Sequence, residues 1–306
     1  MFAKAFAAPA LLLAFQLAIP LGKPPKPVEK PRAPIELAGP TWVDTCKGSD
    51  EWTKPAPPVR IHGNTYLVGT CGISSILITS EAGHILIDGG PDTAADLIIN
   101  NIRELGFNPR DVRIILNSHE HFDHAGGIAR LQQLTGAQVY ASAAQAKVFR
   151  TGTAAADDPQ AGMLKPFPTA RVDRIVTDGE MIRLGNTIVT AALTPGHTKG
   201  AISWHWGACD AGVCRQIVYA DSMTPVSRDN YRFSDHPALV AEFRRSFAKV
   251  ASLDCDILLT PHPSASAMPE RLGLQRPLED PKACRDYAQA LTTRLNERLA
   301  KEAAAK

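Results

Sequence analysis

From about residue 60 onward, apolar and polar positions follow two alternating periods. Short runs rich in β-branched residues, bounded by turn formers, read as strands: Arg60–Val68, Ser75–Thr79, His84–Asp88, Val112–Leu116, Gln138–Ala141, Arg171–Val176, Met181–Leu184, Thr187–Leu193, Ala201–Trp206, Gln216–Tyr219 and Asp256–Leu259. Between them the spacing turns helical. In Asp92–Leu105, Leu97, Ile98, Ile102 and Leu105 share a face, and Asp92 is the expected N-cap. Gly127–Leu134, Ala143–Phe149, His236–Leu253 and Asp286–Leu299 are the other predicted helices. Strands interleaved with helices, in two successive groups, predict an α/β layered protein with two sheets in a single domain.

The N-terminus breaks this pattern. Ala5–Gly22 carries no charge, follows Lys4, and is interrupted by Pro9, Gln16 and Pro20. It is slightly short for a membrane span, which needs about 20 apolar residues, and reads as a secretory leader over residues 1–22. A Pro/Lys-rich linker is expected over 23–40, with the folded domain at 41–306 and no membrane anchor once the leader is cleaved. Of the 306 residues, 44% are apolar and 21% charged, which excludes a disordered or fibrous chain. Five of the 33 basic residues but only one of the 31 acidic ones lie in residues 1–32, so the remainder carries a net charge of −2. A slightly acidic domain is not built to bind nucleic acid. Six cysteines are too few to scaffold a chain of this length, and an exported protein meets an oxidising medium in which they can pair.

The chemistry concentrates after strand Val112–Leu116, in Ser118-His119-Glu120-His121-Phe122-Asp123-His124-Ala125-Gly126-Gly127. Three of the chain's nine histidines fall in six residues. In extended backbone, alternate residues share a face, so His119, His121 and Asp123 are expected to point one way, with His124 turning off as a helix begins. His197 follows Thr187–Leu193 and His262 follows Asp256–Leu259, both in Pro-bounded loops at strand ends where α/β sites gather. Five imidazoles and one carboxylate suit zinc. They divide into two sites, His119, His121 and His197 for one ion and Asp123, His124 and His262 for the other. Such a pair of ions is a hydrolase design that needs no nucleophilic Ser or Cys. His62, His84, His205 and His236 lie in ordinary elements and read as structural.

The pattern His119-x-His121-x-Asp123-His124 with His197 and His262, together with Asp88-Gly89-Gly90 at a strand end, resembles the metallo-β-lactamase superfamily. Ile217–Ser222, Phe243–Phe247 and Cys255–Ser266 are similar to subclass B3 of those enzymes. Subclass B1 places a cysteine where Ser222 stands here, and subclass B2 an Asn where His119 stands. The resemblance implies a four-layer αβ/βα sandwich that binds two Zn²⁺ ions and hydrolyses the β-lactam amide of penicillins, cephalosporins and carbapenems, giving antibiotic resistance, by attack of a zinc-bound bridging hydroxide. It implies that Asp123 also accepts a hydrogen bond from that hydroxide, that Ser222 and Thr224 bind the drug carboxylate, and that Asp88 orients ligands from behind. Trp42 and Phe167 are either cleft walls or core. The resemblance implies a Cys255–Cys284 bridge as in B3 relatives; Cys209 and Cys214 flank a hairpin turn that they could close, which leaves Cys46 and Cys71 to pin the N-terminal segment, and the leader makes a periplasmic or secreted protein, expected as a monomer. A lactonase of the same superfamily is the competing expectation, and it calls for Asp221 to bridge both ions. A secreted zinc-binding protein without activity is the least favoured.

Overall fold

Seven short strands enter the first sheet in chain order: β1 (Val59–His62), β2 (Thr65–Leu67), β3 (Ile76–Ile78), β4 (His84–Ile87), β5 (Val112–Leu116), β6 (Gln138–Ala141) and β7 (Arg174–Ile175). β1 to β4 form an antiparallel meander, and β4 to β7 run parallel. The second sheet is β8 (Met181–Leu184), β9 (Thr187–Leu193), β10 (Ile202–Asp210), β11 (Val213–Tyr219) and β12 (Ile257–Leu259), antiparallel except for the β11–β12 pair. The helices are α1 (Gly39–Cys46), α2 (Ala95–Glu104), α3 (Phe122–Ala125), α4 (Ile128–Thr135), α5 (Ala143–Thr151), α6 (Pro237–Ala251), α7 (Met268–Leu272) and α8 (Ala283–Ala304). The computed structural model describes residues 1–2 and 39–305. Apart from residues 1–2 and 39–40, the leader and linker expected over 1–40 therefore lie outside the described residues.

Three apolar clusters separate four layers. Ile76, Ile78, Ile85, Ile87, Ile114 and Leu116 of the first sheet pack against Ile202, Trp204, Ile217 and Leu259 of the second. The intervening positions Leu77, Leu86 and Ile115 turn to the opposite face, against Ile98 and Ile102 of α2 and Leu131 of α4. This is the period of two that strands impose, with both faces apolar because both are covered. Val218 and Leu258 do the same for the second sheet, against Phe243 and Phe247 of α6 and Leu291 and Leu295 of α8. The result is the αβ/βα sandwich that the sequence resemblance implied. Three disulfides join the expected pairs, Cys46–Cys71, Cys209–Cys214 and Cys255–Cys284.

Several local expectations change. The run 60–68 is two strands, because Gly63, at φ 55°, turns the chain between β1 and β2. Asp92 does not cap α2: a 3₁₀ turn over Asp92–Ala94 precedes the helix, and Ala94 stands at its cap with no side-chain bond. Trp42, open between wall and core, is core, 1% exposed and packed between the sheets. Phe167 is likewise buried, against Phe149.

Candidate metal centre

Four loops meet at one edge of the sandwich, where β5, β9, β11 and β12 end. They are clamped to one another by backbone bonds. Ile202 N donates to Ser118 O (2.7 Å), Ala220 N to Leu259 O (2.9 Å) and Asp88 N to Leu116 O (3.0 Å). The glycines after the His cluster serve a backbone contact: a Cβ on Gly127 would lie 2.2 Å from Gly89 O. That close approach, with Gly89 N donating to His124 O (2.9 Å) and Gly127 N to Gly90 O (3.0 Å), stacks the Asp88 loop beneath the cluster.

The six expected ligands converge. One atom each of His119, His121 and His197 lies within 4.8 Å of the other two. Asp123 Oδ2 is 3.0 Å from His124 Nε2 and 3.4 Å from His262 Nε2, and the two imidazole nitrogens are 3.4 Å apart. His119, Asp123 and His124 also group together, so the two triads adjoin. The alternation argument needs one correction. His119 and His121 precede the helix, but α3 already begins at Phe122, so Asp123 and His124 reach the site from a helical turn rather than an extended strand.

The second nitrogen of each ring in the first triad is already engaged. His119 Nδ1 bonds Asp221 Oδ1 (2.8 Å), His121 Nε2 bonds Asp158 Oδ2 (3.1 Å), and His197 Nδ1 bonds Thr224 O (2.8 Å). That fixes each tautomer and leaves His119 Nε2, His121 Nδ1 and His197 Nε2 with lone pairs for a cation, the usual support for metal-bound imidazoles. Burial, reinforced by neighbouring His124 and His121, holds His119 well below the ordinary imidazole range. Burial, then His119 and His121, push His197 down to about 3. Both are therefore neutral and able to ligate at physiological pH. The second triad is polarised differently. Burial opposes the charge on both Asp123 and His124, yet their mutual attraction holds the carboxyl well below its usual range and raises the imidazole. A donor set of five imidazoles and one carboxylate, buried and pre-oriented, fits a pair of divalent zinc-like cations.

Around the triads, Asp88 accepts from Asn117, Ser118 and Tyr219. Its Oδ2 is 3.7 Å from His124 Nδ1, a buried atom with no hydrogen-bond partner. Ser222 Oγ is also buried and unpartnered, while Thr224 Oγ1 lies 3.4 Å from His197 Nδ1. Asp158, Gln160 and Trp52 were not singled out in the sequence. Gln160 Nε2 is 3.4 Å from His197 Nε2, and the half-exposed Trp52 ring sits 6.1 Å from that of His262. The remaining histidines make other contacts: His62 with Val213 O, His84 with Phe107, and His236 stacked on Tyr231.

Glu120, between two ligands, faces the other way. It accepts from Thr198 Oγ1 (2.7 Å) and Gly200 N (2.9 Å), tying the cluster to the loop that carries His197. Burial pushes its carboxyl up to about 7. A raised folded pKa contributes stability that is complete below the unfolded value near 4.5 and is lost as pH rises through 7. Glu120→Gln keeps an acceptor for Gly200 N and removes the charge. In thermal unfolding of metal-free protein, the difference between wild type and variant is expected to grow in the variant's favour by about 3 kcal/mol from pH 4.5 to 8. A difference that stays flat with pH contradicts this.

The family model described as Metallo-beta-lactamase superfamily matches residues 68–262. The chain belongs to the metallo-β-lactamase superfamily. Its solved neighbours place it more narrowly. It is 52% identical to the metallo-β-lactamase MIM-1 from Novosphingobium pentaromativorans, covering 87% of this chain and 98% of that one at a TM-score of 0.85. It is 46% identical to MEM-A1, a subclass B3 metallo-β-lactamase isolated from a soil metagenome library, over 84% of this chain and all of the other, with a TM-score of 0.80. Among curated relatives, a hydroxyacylglutathione hydrolase of Maricaulis maris is 32% identical over 128 residues, 41% of this chain. The match spans only 39% of that relative's length.

Proposed function

We propose that the chain is a zinc-dependent β-lactamase that opens the β-lactam amide of penicillins, cephalosporins and carbapenems and so confers antibiotic resistance. The observation that carries this is the pair of adjoining triads set in a chain 46–54% identical, nearly end to end, to metallo-β-lactamases. His119, His121 and His197 would hold one zinc, and Asp123, His124 and His262 the other. Two zinc ions supply Lewis acidity and a nucleophilic water at neutral pH. The protein's own residues do the rest. Asp221, Asp158 and the Thr224 carbonyl hold three imidazoles in the tautomer and orientation that ligation needs. Asp123, the only carboxylate among the six, would also accept a hydrogen bond from the attacking water. The unpartnered Ser222 hydroxyl, with that of Thr224, is a donor for the substrate carboxylate.

Asp221 separates this reading from a lactonase. Its Oδ1 is taken by His119 Nδ1, behind the ring, so the side chain supports a ligand and is not placed as one. Three disulfides, with the leader expected from the sequence, support export to the periplasm or beyond. The test is hydrolysis of one penicillin, one cephalosporin and one carbapenem by purified protein, with and without chelator. Ring opening that stops on chelation and returns with zinc is the expected result. Rapid opening of an acyl-homoserine lactone or a hydroxyacylglutathione thioester, with the β-lactams left intact for hours, overturns it.

A further inference from the structure

His121 is oriented by a residue that no regular element holds. Asp158 lies in the irregular stretch between α5 and β7, yet its carboxylate is 95% buried, with Oδ2 on His121 Nε2 (3.1 Å) and Oδ1 accepting from Gln160 N (2.7 Å). What fixes Asp158 comes from the loop after β11. Arg228 Nη1 donates to Asp158 O (2.9 Å) and reaches Pro159 O (3.4 Å), and Arg228 N donates to the same Pro159 carbonyl (3.0 Å). The guanidinium lies 5.1 Å over the Tyr231 ring. That loop is itself anchored to α8, where Arg298 Nη2 donates to Ser227 Oγ (2.9 Å) and Tyr231 O (2.9 Å). Near Asp158 the other ties on the 153–166 stretch are slight, the long Gln160–His197 contact and an exposed Lys199–Asp157 pair of a kind that contributes little, while Leu164 and Lys165, against the apolar cluster and the Phe122 ring, hold its far end.

We propose that Arg228 is a positioning residue for the first metal site, acting through Asp158 on His121. The same loop already reaches that site directly, through Thr224 O on His197 Nδ1. Two of the three imidazoles in the triad are thus set from one segment, residues 224–231, and Arg228 is the link to the more distant of them. Losing the guanidinium donors frees the Asp158 carbonyl and leaves Pro159 O only the backbone bond from residue 228. Asp158 then no longer holds His121 in the tautomer that presents Nδ1 to the cation. Partners that orient a metal-bound imidazole typically change affinity by about 10–100-fold. Arg228, one step further out, is expected at the low end of that range.

The inference rests on the cluster's being a metal site, but it is tested by zinc affinity and not by hydrolysis. Zn²⁺ is titrated into metal-free protein against a chromophoric chelator, resolving two equivalents. Arg228→Met keeps an unbranched aliphatic stem and removes every side-chain donor, leaving only the backbone bond to Pro159 O. It is expected to weaken one equivalent about 10-fold and leave the other unchanged. Arg228→Lys, which retains a donor, should recover most of the loss. Asp158→Ala should weaken the same equivalent by more, and adding Arg228→Met to it should cost nothing further. Equal weakening of both equivalents, a full additional loss in the double variant, or wild-type affinity in Arg228→Met overturns the proposal while leaving the β-lactamase reading intact. A wild-type chain that binds no zinc overturns both.

Discussion

Asp123→Ala is expected to lower kcat/KM on a chromogenic cephalosporin by at least about 10³-fold, a loss of some 4 kcal/mol in transition-state stabilisation. The size follows from what one oxygen does. Asp123 Oδ2 is the point on which His124 and His262 converge, at 3.0 and 3.4 Å, and it is the only anionic donor among six. Without it the second triad is two imidazoles with no anionic donor, a poor match for a doubly charged cation. Elemental analysis should therefore find one zinc per chain instead of two. Asp123→Asn tests the charge separately, since it keeps the shape and an oxygen but neutralises the group. It should lose second-site zinc almost as fully. The same change replaces a charged hydrogen-bond acceptor for the attacking water with a weaker neutral one, so restoring zinc by excess metal should recover only part of the rate. A variant that holds two zinc ions and hydrolyses within 10-fold of wild type would show that Asp123 is not the second site's carboxylate.

The convergence of the six candidate ligands was legible in the sequence because four sit in six consecutive residues and the other two follow strands whose period is clear. Strand bounds were read most accurately where packing imposes the pattern, as in β6, β8 and β9. The far ends of β10 and β11 were not read. From Gly207 to Arg215 the hairpin is mostly exposed and built largely of small residues, held by backbone pairing and Cys209–Cys214, and neither leaves a hydrophobic period. The supporting residues were illegible for a related reason. Asp158, Gln160 and Arg228 are single polar residues in irregular segments, brought to the centre by tertiary contact. Asp221 was noticed, but for a bridging role. Only the geometry shows its carboxylate behind His119.

Asp88 carries the second large effect, and it falls on stability. The residue is wholly buried at φ 67°, and its two oxygens are the acceptors for four donors: Asn117 Nδ2 (2.9 Å) and Ser118 N (2.6 Å) on Oδ1, Ser118 Oγ (2.7 Å) and Tyr219 OH (2.7 Å) on Oδ2. Burial raises its carboxyl against these bonds and against His124, so the site tolerates the charge at a cost that the donors offset. Three substitutions separate the contributions. Asp88→Ala strands all four donors and puts a Cβ residue of poor left-handed tolerance at that φ. At about 1–3 kcal/mol per unsatisfied buried group and about 1 kcal/mol for the backbone, a loss of at least 4 kcal/mol is expected, a third or more of a typical domain's stability. Asp88→Gly relieves the backbone alone and should recover about 1 kcal/mol of that. Asp88→Asn suits the left-handed region and keeps an oxygen for the two N–H donors. Its amide then faces two hydroxyls, which can turn to accept it only by sending their own hydrogens into a sealed pocket, so about 2 kcal/mol is expected. Urea unfolding of the oxidised, metal-free protein should give the order Ala, Gly, Asn from most to least destabilised. Asp88→Asn should also weaken zinc binding, because Ser118, which leads directly into His119, loses the bond from its hydroxyl and keeps only that from its N–H. Were Asp88→Ala to unfold within about 1 kcal/mol of wild type, the four bonds would not be what holds the ligand loop against the sheet.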